Sequence, residues 1–165
     1  MGPVFLGSSA GLPVEAPCME PLDLTRQPPR SCFDELDGLM LMPRTIDKLR
    51  GLLPGGNPGE YFINGKIPGL SGYLLQRLGV EENALREVVQ QAASDDDVAA
   101  WLRAHADPSQ YAAINESLRR VRPKHAQDPE FFAELYAPTL AMHPELEHIL
   151  DIIDADDRRI FGAVS

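Results

Sequence analysis

Proline sets the first limit on this chain. Fifteen prolines occur among its 165 residues. Proline has no N–H to give, and its ring clashes with the preceding turn. Each of Pro28-Pro29, Pro43, Pro54, Pro58, Pro108, Pro129, Pro138 and Pro144 can therefore open a helix or follow one, but cannot sit inside one. Between these points the apolar residues repeat at helical spacing, which leaves short helices joined by tight connections.

Met42, Ile46, Leu49 and Leu53 fall within about 30° of one direction at about 100° per residue, a core stripe that places Arg44, Asp47 and Lys48 on the opposite, solvated side. Leu70, Leu74 and Leu78 share a face before Gly79, a C′ residue. Leu85, Val88, Val89 and Ala92 repeat the pattern. Ser94 with Asp97 reads as a capping box ahead of Val98, Trp101 and Leu102. Asp107-Pro108 and Asp128-Pro129 each supply an N-cap and a first-turn proline, the first for a helix bearing Tyr111, Ile114, Leu118 and Val121, the second for one bearing Phe131, Phe132, Leu135 and Tyr136. Leu146, Ile149, Leu150 and Ile153 form the last stripe, before Asp154-Ala155-Asp156-Asp157, and a separate terminal turn carries Ile160 and Phe161. Ser31 is expected to cap a further short helix through Phe33 and Leu36, ending at Gly38. Glu60 to Asn64 is expected to be extended. No two strands pair in this reading. The fold class is all-α, a single compact domain of six to eight short helices with at most one short extended segment. It spans residues 21–165, after a weakly ordered leader at 1–20 rich in Gly, Pro and Ser.

Twenty-five acidic residues against fifteen basic ones give a net charge of −10. Such a surface repels phosphate backbones and anionic lipid heads, so neither a nucleic acid nor a membrane is expected as a partner. The two cysteines, Cys18 and Cys32, lack CxxC spacing, which points to reduced thiols in the cytoplasm. Gly59 and Gly65 enclose five residues rather than four, and Lys66 is followed by Ile67, so the chain has no phosphate-binding P-loop. Gly69-Leu70-Ser71-Gly72 misplaces its glycine for a nucleophile elbow. Arg158 and Arg159 stand where a calcium loop after Asp154 needs a ligand and a glycine, and Pro144 keeps His143 from facing a zinc ion with Glu147 and His148. No metal and no cofactor is expected.

Arg30, Arg44, Asp47, Lys48, Glu60, Tyr61 and Asn64 remain, all beside turns and all before residue 65. Arg44 and Lys48 lie one helical turn apart, a spacing that suits two cations holding a carboxylate or phosphate while Asp47 fixes the arginine. If Arg30 is buried against Asp47, Glu60 or the terminal aspartates, it serves as a structural staple.

These residues also carry a resemblance. Leu22-Asp23-Leu24-Thr25, Pro28-Pro29-Arg30-Ser31, Pro43-Arg44-Thr45-Ile46-Asp47-Lys48, Gly59-Glu60-Tyr61 and the closing Asp154-Ala155-Asp156-Asp157 with Phe161-Gly162 together resemble a bacterial family known only as a domain of unknown function, over about residues 21–162. The resemblance implies a compact domain and carries no activity, substrate or catalytic residue with it. The expected function is a non-catalytic helical module for a small anionic metabolite or a protein partner, acting as a monomer or homodimer. The alternative is a small enzyme with Glu60 or Asp47 as base, Tyr61 as acid and the arginines stabilising negative charge.

Overall fold

Helix α1 (Met42–Arg50) is the axis on which the other elements pack. Seven of its nine residues are buried, and Arg44, Thr45 and Asp47 are among them. The expectation of a solvated polar face on this helix is therefore corrected. The coil around Arg30 and the helix bearing Asp157 lie over that face, and a helix covered all round carries no free polar side.

The computed structural model describes residues 18–65 and 69–162. A two-stranded antiparallel hairpin, β1 (Glu35–Leu36) and β2 (Leu39–Met40), leads into α1. Then follow α2 (Leu70–Leu78), α3 (Glu82–Gln91), α4 (Asp95–His105), α5 (Tyr111–Arg120), α6 (Pro129–Leu135), α7 (Ala137–Met142) and α8 (Ile149–Phe161), with single 3-10 turns at Pro108–Gln110 and Pro123–His125. The eight helices among the described residues agree with the all-α reading, and none is long and apolar enough to cross a membrane. Of the expected leader only residues 18–20 are described. Met19 among them is buried, and its N–H donates to the Ala92 carbonyl at 2.9 Å.

The two Asp-Pro caps form, but the expected Ser94–Asp97 capping box does not: the Ser94 side chain caps nothing, and Asp97 accepts from Ala93 N–H one residue earlier. Asp107 accepts from Ser109 N–H and Asp128 from Phe131 N–H, each ahead of a first-turn proline. Gly79 closes α2 in the left-handed region at φ 68°, a conformation that suits glycine. Pro138 falls in the first turn of α7, and α8 runs unbroken through Asp154–Asp157 to Phe161, so no separate terminal turn exists.

Residues 31–38 do not form the expected helix. Asp37 and Gly38 take φ 53° and 82°, the two left-handed positions of a type I′ turn, and this turn joins β1 to β2. Ser31 caps only a local turn, accepting from Phe33 N–H at 3.1 Å. Glu60–Asn64 is likewise not a strand but irregular chain laid across α2. Its close approach depends on Gly72, where a Cβ would stand 2.8 Å from the Ile63 carbonyl oxygen. Only one residue joins the hairpin to α1, and this forces Leu41 to φ 70°, a left-handed conformation tolerated because its side chain is buried in the core.

Asn115 on α5 fastens the hairpin to the bundle. Its Oδ1 accepts from Met40 N–H at 2.9 Å and its Nδ2 donates to the Gly38 carbonyl at 2.7 Å, and the side chain is buried. A buried N–H left without an acceptor costs about 1–3 kcal/mol. Asn115→Ala is expected to lower the unfolding free energy by about 2–3 kcal/mol in a urea titration. An unchanged midpoint would show that the hairpin stands without α5.

Candidate functional site

Arg44 and Lys48, one turn apart on α1, meet opposite fates. The Arg44 guanidinium is 3% exposed and donates through Nη1 to Asp157 Oδ2 at 2.6 Å and to the Arg30 carbonyl at 3.1 Å. Tyr61 lies against it, with the guanidinium carbon 5.4 Å from the ring centroid, and the Tyr61 hydroxyl donates to Asp157 Oδ1 at 2.6 Å. Asp157 thus spends one oxygen on Arg44 and the other on Tyr61. Burial and the bond to Asp157 push the Tyr61 hydroxyl above its usual pKa, so it stays a protonated donor.

Lys48 receives no such partner. Its amine donates to the Phe62 carbonyl at 3.0 Å and to Ser71 Oγ at 3.2 Å, both neutral acceptors. None of the ion pairs among the described residues includes it. Burial of the amine, reinforced by the neighbouring Arg44 charge, pushes its pKa down to about 7. Ser71 on α2 is completely buried and bonds in turn to Thr45 Oγ1 at 2.9 Å, while Thr45 donates to the Leu41 carbonyl. With the Thr45 hydrogen spent on Leu41, Ser71 donates to Thr45 and accepts from Lys48.

Lys48, Arg44, Tyr61, Glu60 and Asp156 line a cavity of about 360 Å³ whose other walls are largely apolar, built from residues such as Leu41, Phe62, Tyr136 and Phe161. A second apolar cavity adjoins it and shares Phe62, Leu70, Leu135, Tyr136 and Ile153. Arg44 uses only Nη1 among the described residues, and its remaining N–H groups lie on a side chain that lines the first cavity.

Of the seven residues singled out in the sequence, the structure gathers Arg44, Lys48, Glu60 and Tyr61 around this cavity. Arg30 and Asp47 line a separate, polar cleft. There Asp47 accepts from Arg30 N–H, Nε and Nη2 and from Arg50 Nη1, so it fixes those arginines rather than Arg44. Arg30 reaches on to Asp95 and ties the coil to α4 as well as α1. Asn64 is turned away toward Glu82, which accepts from its Nδ2 at 2.6 Å. Cys32 is buried near Arg44, and burial pushes its thiol up to about 12, which keeps it protonated at neutral pH.

Sequence reasoning missed Asp157, Ser71 and Asp156. Asp157 falls at i+7 from Leu150 and i+4 from Ile153, on the buried stripe of α8, and an acid in that register needs a buried cation. Ser71 likewise shares the buried face of Leu74, Leu75 and Leu78.

The sequence model of one protein family, described as a domain of unknown function (DUF5069), matches residues 26–159. The chain belongs to the DUF5069 family. The DUF5069 match takes in Arg44, Lys48, Glu60, Tyr61 and Asp156, which line the cavity, and Ser71 and Asp157, which bond to them from behind its wall. Among curated proteins none matches the chain.

Removing one partner of a buried ion pair leaves the other uncompensated, at a cost of about 3–5 kcal/mol. Asp157→Ala and Arg44→Met are each expected to lose that much stability in thermal or urea unfolding. The double variant Arg44→Met/Asp157→Leu is expected to recover most of it, and additive losses would show that the pair is not coupled.

Proposed function

We propose that this protein binds a small organic acid, with its apolar body in the cavity beside Tyr136 and its carboxylate between Lys48 and the unspent edge of Arg44. One observation carries this reading: a lysine amine whose hydrogen-bond partners among the described residues are both neutral stands beside a buried arginine, in a cavity that Glu60 and Asp156 also line and whose other walls are largely apolar. A carboxylate there would supply the counter-charge that Lys48 lacks, and charge-assisted bonds to ammonium and guanidinium are the strong ones. The apolar walls supply the rest of the affinity by removing the ligand body from water. The free thiols Cys18 and Cys32 support a reducing, cytoplasmic setting.

The reading predicts a thermal shift. 3-Phenylpropionate and 4-methylpentanoate are expected to raise the melting temperature of the wild type, because a ligand that binds only the native state stabilises it by mass action. Lys48→Met is expected to abolish the shift, and no shift in the wild type would overturn the proposal. Burial and the Arg44 charge lower the pKa of Lys48, and the Asp157 carboxylate raises it. A carboxylate prefers the protonated amine, so its affinity is expected to fall as pH rises through about 7. Calorimetric titration across that range checks this, and a flat profile would place the ligand away from Lys48.

A further inference from the structure

We propose that Lys48 is a reactive amine that condenses with the carbonyl carbon of an apolar 2-oxo acid held in this cavity. The inference rests on the small-acid reading above and narrows it to one ligand class.

The geometry around Nζ carries the argument. A neutral amine has two hydrogens and one lone pair, and Lys48 has two acceptors, the Phe62 carbonyl and Ser71 Oγ. When both hydrogens are spent there, the lone pair takes the remaining tetrahedral direction, on a side chain that lines the cavity. Both acceptors are fixed: Phe62 O belongs to the segment laid across Gly72, and Ser71 is held by its bond to Thr45. Among the described residues no carboxylate bonds to the amine, and burial together with the adjacent Arg44 disfavours its charge more than Asp157 favours it. Desolvation beside a second cation is how a lysine becomes a nucleophile near neutral pH. Arg44 also offers a site for the carboxylate of a 2-oxo acid, with the carbonyl carbon toward Lys48.

The chemistry balances without a further reactant. The Nζ lone pair attacks the carbonyl carbon, forming the C–N bond, and one amine hydrogen passes to the carbonyl oxygen to give a carbinolamine. The C–O bond then breaks, and the oxygen leaves as water with the second amine hydrogen. The C=N bond of an imine remains. Protonation of that imine by solvent restores one N–H for the Phe62 carbonyl. The apolar walls limit the water available to reverse the step.

The chain has only three lysines, Lys48, Lys66 and Lys124, so the site of reaction can be mapped on the intact wild-type protein. The protein is incubated at pH 7 with phenylpyruvate and sodium cyanoborohydride, which reduces an imine to a stable secondary amine, and its peptides are weighed. The expected result is at least about tenfold more adduct on Lys48 than on Lys66 or Lys124. 3-Phenylpropionate, which has the same body and carboxylate but no carbonyl, is expected to suppress the adduct. If 3-phenylpropionate stabilises the protein but Lys48 is labelled no more than Lys124, the imine proposal is overturned and the binding site stands. If neither compound stabilises or labels the protein, both readings fail together.

Discussion

A guanidinium cannot be put inside a protein without an anion, and the Arg44–Asp157 pair is how this fold meets that requirement. The pair joins α1 to α8 across 113 residues of sequence. Its surroundings draw in two further segments: Arg44 Nη1 also holds the Arg30 carbonyl, and Asp157 also accepts from Tyr61. Four separated parts of the chain therefore converge on one charge pair, and the cavity wall formed by Arg44 and Tyr61 exists because they do. A neighbouring contact repeats the arrangement, with Asp154 accepting from Cys32 N–H and the Ser31 hydroxyl.

The same pair explains why Lys48 differs from Arg44. Helix α1 presents two cations one turn apart, and α8 answers with a single carboxylate placed against the first. The arginine takes it in a short, charge-assisted bond and keeps its proton. The lysine, left with a carbonyl and a hydroxyl, is the group that can give up its proton under that pressure. Arginine at position 48 could not do so.

Much of the helical frame was legible in the sequence, because Pro, Asp-Pro and Gly mark its ends and the apolar stripes mark its faces. Helices α2 to α6 lie where those signals put them. The hairpin was not read, although Asp37-Gly38 is the turn chemistry it needs. Its strands are two residues long, too short for alternation to register. The polar face of α1 was misread for a different reason: amphipathic spacing reports which residues are apolar, not whether another segment will cover the polar ones. Arg44, Lys48, Glu60 and Tyr61 were found as a group because they crowd around one helix and one turn. Asp157 was missed because a partner 113 residues away leaves no local trace except an acid on a buried stripe.

The sequence distance across this pair also orders events during synthesis. Arg44 leaves the ribosome long before Asp157 is made, so for most of translation α1 carries a cation whose anion does not yet exist. Helix α1 and its hairpin can form early, but the covering of its polar face must wait for α8. Until then Arg44 has no Asp157 with which to pair. Docking of α8 is thus the step that gives Arg44 its anion and completes the cavity wall, to which Ile153, Asp156, Ile160 and Phe161 belong.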